Sequence, residues 1–227
     1  MRSTPRTKLH ARVAFIAAGA VLAVVGVLPM TASAGATCGG MAATKVGTQG
    51  DDVLRGTQGD DVLVGLGGND QINGLGGNDV MCGGGGRDTI IGEGGRDRAI
   101  GGGGADSING GADFGILYGN GGNDSITGGA ARDVLIGGAG SDRMTGSEGD
   151  DTLRGEIGND TQLGGPGNDE LRGGDDNDTI AGGEDDDVLL GLPGEDALDG
   201  GNGTDTTDGG GGIDTCVNGE TVANCES

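Results

Sequence analysis

From Gly47 to Val217 the chain repeats every nine residues, nineteen times over, without one insertion or deletion. The first position of the unit is glycine in all nineteen copies and the fourth in fifteen. The sixth is aspartate in eighteen, and the eighth is Leu, Ile or Met in fifteen. Gly65-Leu-Gly-Gly-Asn-Asp-Gln-Ile-Asn73 and Gly119-Asn-Gly-Gly-Asn-Asp-Ser-Ile-Thr127 show the pattern without departure. So short a unit cannot bury its own apolar residue. The units must therefore stack on one another.

Each position of the unit has a physical reading. Glycine at fixed places lets the backbone take positive φ or turn tightly. The triplet around position eight has an apolar centre and mostly polar or small flanks, which suits a very short strand with one side inward. Six turn residues and three strand residues make half a coil, and two units make an eighteen-residue coil. This predicts an all-β protein, a parallel solenoid in which unit n stacks on unit n+2, with odd and even units on opposite faces. Strands of two to four residues centred on position eight, roughly 4.8 Å apart, would give a rod about 45 Å long. Ala99, Gln162, Thr207 and Cys216 depart from the apolar rule at position eight.

Composition agrees with a stack and not with a globule. There are 58 glycines and three aromatic residues, Phe15, Phe114 and Tyr118, so large side chains for an ordinary core are missing. The formal charge of −23 argues against a nucleic-acid partner, whose phosphates need basic surfaces. Low hydrophobicity with high charge ordinarily reads as disorder, but the periodic order of the residues overturns that reading.

The first residues form a targeting segment. Arg2, Arg6, Lys8 and Arg12 make a basic leader, an uncharged apolar run follows from Val13 to Leu28, and Ala32 and Ala34 supply an Ala-x-Ala cleavage site. Residues 1–34 therefore read as a secretory signal cut after Ala34, with Ala36 the nearest alternative. Cleavage leaves no membrane span. It removes the sole histidine, His10, and leaves nine basic residues facing all 36 acidic ones, a net charge of −27. A chain without imidazole excludes histidine-based catalysis and histidine metal ligands.

The nonapeptide Gly-Gly-x-Gly-x-Asp-x-aliphatic-x resembles the repeats-in-toxin (RTX) family over residues 47–217. That resemblance implies a parallel β-roll with calcium held between stacked turns by the position-six aspartate and backbone carbonyls of the glycine-rich stretch. The implied ligands are Asp52, Asp61, Asp70, Asp79, Asp88, Asp97, Asp106, Asp124, Asp133, Asp142, Asp151, Asp160, Asp169, Asp178, Asp187, Asp196, Asp205 and Asp214. A hard cation with oxygen ligands suits this donor set, and the inter-turn gaps would hold about 15 calcium ions (Ca2+).

Unit 110–118 is the broken copy. Gly115 takes the ligand position, Asp113 stands at position four, and Phe114 and Tyr118 both fall inside it. It reads either as a drifted repeat, weakening the sites between units 6 and 8 and between 8 and 10, or as an aromatic contact spot. Asp176, Asp185 and Ala131 also replace the position-four glycine and should weaken their turns. Four cysteines in an exported chain point to disulfides. Cys216 and Cys225 would bridge a C-terminal cap, residues 218–227. Cys38 and Cys82 would tie an N-terminal cap, residues 35–46, to the fourth unit, although register alone does not bring them together. The cysteine spacings fit no compact zinc cluster.

Two functions are open. The first is a secreted, extracellular calcium-binding protein that folds on calcium. The alternative is a secretion or adhesion module of a toxin, protease or adhesin lacking its effector domain; relatives of that kind carry a catalytic segment before the array, for which this chain has no room. An enzyme is not expected. Eighteen equivalent aspartates offer no pair with pKa values pushed apart, and no Gly-x-Ser-x-Gly or His-Glu-x-x-His occurs. The sequence identifies no protein or cell-surface partner.

Overall fold

A computed structural model describes residues 35–226; residues 1–34, read above as a secretory signal, lie outside the described residues. The fold is a parallel β-solenoid of stacked coils, all-β, with no helix among the described residues. Odd units form a ten-stranded sheet from Val53–Arg55 to Thr215–Val217. Even units form an eleven-stranded sheet, extended at its ends by Lys45–Val46 and Thr221–Ala223. Every pairing between repeat units is parallel and eighteen residues apart. Leu54, Ile72, Ile90 and Ile108 are thus consecutive partners on one sheet, and Leu63, Met81, Ala99 and Leu117 on the other.

Position eight points inward from both sheets, and its residues fill a single axial core that includes Leu54, Leu63, Ile72, Met81 and Ile90. The departures from the pattern face inward too. Ala99 and Thr207 are buried, and Cys216 is partly buried against the core. Gln162 is 1 % exposed; its Nε2 donates to the Arg172 carbonyl at 2.7 Å, and its Oε1 has no partner. An unpaired buried oxygen costs about 1–3 kcal/mol, so this coil is stabilised less than its neighbours.

The strands are longer than expected. Most run five to seven residues, as in Val62–Gly67 and Gly115–Gly121. They pass from position seven through the glycine at position one into positions two and three of the next unit, where Leu66 pairs with Gly84 and Gly67 with Gly85. With coils stacked on both sides, the amides there have the adjacent coil as their natural partner.

The N-terminal segment does more than close one end. Thr37–Cys38 and Met41–Ala42 form an antiparallel hairpin around Gly39 and Gly40, at φ of 57° and 85°, a two-residue turn that requires left-handed backbone. It lies on the outer face of the even sheet. There Cys38, Val46, Val64 and Val80 make a second small core, flanked by Val62, Cys82 and Ile100. Cys38 and Cys82 are joined by a disulfide across this face, their Cα atoms 5.9 Å apart. Cys216 and Cys225 are joined at the other end, at 5.8 Å.

Candidate metal-binding columns

The eighteen-residue register places the position-six aspartates one above another in two columns, one along each edge of the roll. Seventeen of the eighteen are buried, Asp88, Asp133 and Asp214 completely, and Asp52 is half-buried. Each carboxylate has two roles. From Asp70 onward its Oδ1 accepts the backbone N–H of the position-six residue one coil earlier, as Asp88 does from Asp70 at 2.8 Å and Asp142 from Asp124 at 2.7 Å; for Asp133 that residue is Gly115. Its Oδ2 turns towards the position-one glycine of its own unit.

That glycine explains the site. Position one is glycine throughout, yet its φ is not left-handed in any copy, so conformational freedom is not the reason; space is. A methyl group on Gly137 would lie 2.4 Å from Asp142 Oδ2 and 2.9 Å from the carbonyl oxygen of Gly155, one coil on. The same convergence recurs at Gly65, with Asp70 Oδ2 at 2.1 Å and the Gly83 carbonyl at 2.4 Å. Left-handed backbone belongs instead to positions two and four. Asp176 and Asp185 adopt it at φ of 79° and 74°, so these turns keep their shape at a strain of about 1–3 kcal/mol each.

Sixteen of these buried Oδ2 atoms, from Asp70 to Asp214, have no hydrogen-bond partner. Basic side chains do not compensate: the ion pair among the described residues, Arg172 with Glu170, lies elsewhere. Burial pushes the carboxyls of Asp97, Asp151, Asp160, Asp178 and Asp187 up to about 7, against the backbone N–H each accepts. It pushes Asp106, Asp133, Asp142 and Asp169 up to about 6. Among the described residues no three His, Cys, Asp or Glu side chains gather at one point, so backbone oxygens must complete any ligand shell. A row of unpartnered carboxylate oxygens beside carbonyl oxygens suits a hard cation such as calcium.

The family comparison agrees with this donor set. The RTX calcium-binding nonapeptide repeat matches the chain in eight segments between residues 46 and 216. The chain belongs to the RTX calcium-binding repeat family. Its β-roll is accordingly a calcium-binding one, and the repeat is a structural, ion-binding element. No curated protein matches the chain.

The RTX columns are not uniform. At their N-terminal end Asp52 and Asp61 differ from the rest. Their Oδ2 atoms accept the Oγ1 hydroxyls of Thr48 and Thr57 at 2.9 Å, together with the same residues' N–H groups. Thr44 Oγ1 donates to Asp61 Oδ1 at 3.0 Å. Burial works to raise the Asp61 carboxyl, but the Thr57 and Thr44 hydrogen bonds and the Lys45 charge outweigh it and hold it below its ordinary value. None of these threonines was singled out from sequence, although Gly-Thr-Gln-Gly opens only the first two units.

At the broken unit the even column is interrupted. Asp97 N–H, lacking a carboxylate above it, donates to the Phe114 carbonyl at 3.2 Å. A methyl on Gly110 would meet a Leu117 methyl at 3.3 Å and no carboxylate. Arg96 lies 4.8 Å from the Phe114 ring centre and Arg98 5.2 Å from that of Tyr118, so both aromatic faces are engaged by cations of this chain. Gly115→Asp should raise the calcium count by up to two ions per chain, one for each gap that touches unit 110–118, since the new Cβ would stand 3.3 Å from Asp133 Oδ1 and 3.4 Å from Leu117, tight but without overlap. Ion counting by native mass spectrometry decides it. An unchanged count would mean that position 115 does not face an ion site.

One carboxylate outside the repeats joins the even column: Glu220 Oε2 accepts the Asp205 N–H at 2.5 Å. The signal was present in Glu220-Thr-Val-Ala223, which imitates the Asp-x-aliphatic-x end of a unit, but it stands fifteen residues after Asp205, out of phase.

Proposed function

We propose that the protein is exported through its N-terminal leader and that its roll assembles outside the cell as calcium fills the two aspartate columns. The observation that supports this most strongly is the set of sixteen buried, unpartnered Oδ2 atoms, each beside the carbonyl of a position-one residue or its counterpart one coil on. Bound calcium would supply the positive charge that these oxygens lack. The chain's own residues do the rest. Oδ1 fixes each carboxylate to the preceding coil, position-one glycine keeps the space open, and the inward Leu and Ile rows zip the sheets together. Export is supported by the basic leader, the apolar run and Ala-x-Ala at residues 32–34, and by two disulfides, which persist in oxidising surroundings.

The test is expression of the full chain in an exporting bacterium. The expected product is found in the medium, begins at Gly35, and binds many calcium ions with a gain of β structure. A product kept inside the cell with its leader intact would overturn the export arm. A product that binds no calcium would overturn the ion arm.

A further inference from the structure

We infer that the tail beyond the array builds one more calcium site, from Asp205, Asn218 and Glu220, at a level where the repeat pattern has no unit. The inference rests on the calcium reading above and extends it to residues outside the nonapeptides.

Inside the array, the space above one even unit is bounded by three things: its own aspartate Oδ2, the position-one carbonyl one coil on, and a carboxylate accepting the aspartate N–H. At Gly182 these are Asp187 Oδ2, 2.3 Å from where a Cβ would sit, the Gly200 carbonyl at 2.5 Å, and Asp205 Oδ1, which accepts Asp187 N–H at 2.9 Å. One coil further the repeats have run out, but the same three groups are present. A Cβ on Gly200 would lie 2.6 Å from Asp205 Oδ2 and 2.2 Å from the Asn218 carbonyl, and Glu220 Oε2 accepts Asp205 N–H at 2.5 Å. The strand continues as well. Thr221, Val222 and Ala223 pair with Thr206, Thr207 and Asp208, and Thr221 N–H donates to the Asp205 carbonyl at 3.0 Å, as Thr206 N–H does to that of Asp187 at 2.9 Å.

The turn that delivers Glu220 has three residues, 218–220, where the repeat uses six. Glutamate, one methylene longer than aspartate, spans the difference. Asn218 sits in left-handed backbone at φ 53°, which asparagine tolerates better than most residues, and its Nδ2 donates to Asp199 Oδ1 at 2.7 Å. The Cys216–Cys225 disulfide closes the segment around it.

The independent sign of a missing ligand is Asp205 itself. It is 1 % exposed, and its Oδ2 has no hydrogen-bond partner. The N-terminal end of the same column is finished in the opposite way, with the hydroxyls of Thr44 and Thr57 satisfying Asp61. A hydroxyl donor closes a column; a second carboxylate adds charge that only a cation can balance.

The experiment counts calcium ions by native mass spectrometry on the full disulfide-bonded protein, at a calcium concentration that just saturates it. Glu220→Gln keeps an acceptor for Asp205 N–H and removes the charge; Glu220→Asp keeps the charge. The expected result is one ion fewer for Glu220→Gln and the original count for Glu220→Asp, with the β spectrum and the Cys216–Cys225 bridge intact in both. The inference is overturned if Glu220→Gln keeps the full count, or if Glu220→Asp loses the ion as well, since Glu220 would then be a hydrogen-bonding cap of the right length. Should Glu220→Gln fail to fold where Glu220→Asp folds with the full count, the requirement for charge at this position still stands. An original protein that binds no calcium would sink the parent reading and not this comparison alone.

Discussion

In excess chelator the disulfide-bonded protein is expected to lose most of its β circular dichroism, and to regain it in one cooperative step as calcium is restored. The roll offers one inward apolar residue per nine, which is little hydrophobic burial to set against ordering nine residues of glycine-rich backbone. Folding also buries sixteen carboxylate oxygens with no donor, each a desolvation cost that nothing else in the structure repays. About 15 calcium ions would bring some thirty positive charges against the −27 carried by residues 35–227, removing almost all of their self-repulsion. Ion binding and folding are then one event. A full β spectrum in chelator would sink this expectation. Equal folding with magnesium, which holds its waters and prefers a tight octahedron, would sink the ion preference.

Protons should partly replace calcium. Burial raises the carboxyls of Asp97, Asp151, Asp160, Asp178 and Asp187 from 3.8 to about 7 in the folded, ion-free roll. Over the interval from 3.8 to 7 that roll therefore binds more protons than the unfolded chain. The stability these groups contribute is fully present below about pH 4 and is lost as pH rises through the folded values. In chelator, lowering the pH from neutral to about 5 should thus recover part of the β signal. With calcium present the sign reverses, because protons and the ion compete for the same oxygens: the calcium midpoint should move to higher concentration as pH falls. Dichroism recorded across pH in chelator checks the first effect, and a flat profile would refute it.

Much of this was legible in the sequence because the period left little choice. Aspartate at one phase of nine and Leu or Ile at another place Asp142 on an edge and Met144 in the core, as the structure has them. The longer strands were not legible, since the residues that extend them are mostly glycines with no side chain to report pairing. Val62, Val64 and Val80 read as flanks of inward residues; the expected Cys38–Cys82 bridge placed the cap near the fourth unit, but nothing indicated that a hairpin would cover Val62 and Val64 of the second. Position-one glycine was read through backbone freedom when its role is to leave room, which only the approach of Asp Oδ2 and the next coil's carbonyl reveals. Glu220 escaped because a shortened turn put it out of phase.

The eighteen-residue register has a further consequence, one of parity. Removing or duplicating two adjacent units returns every later residue to the same edge and the same sheet, so such a roll can change length by whole coils while each surviving contact keeps its partner. Removing one unit shifts everything after it to the opposite edge. Thr221–Ala223 would then close the sheet begun by Val53–Arg55, with Asp205 and Glu220 carried across together. Even steps in length leave both ends of such an array on their own sheets, whereas an odd step exchanges the sheet that the C-terminal segment closes.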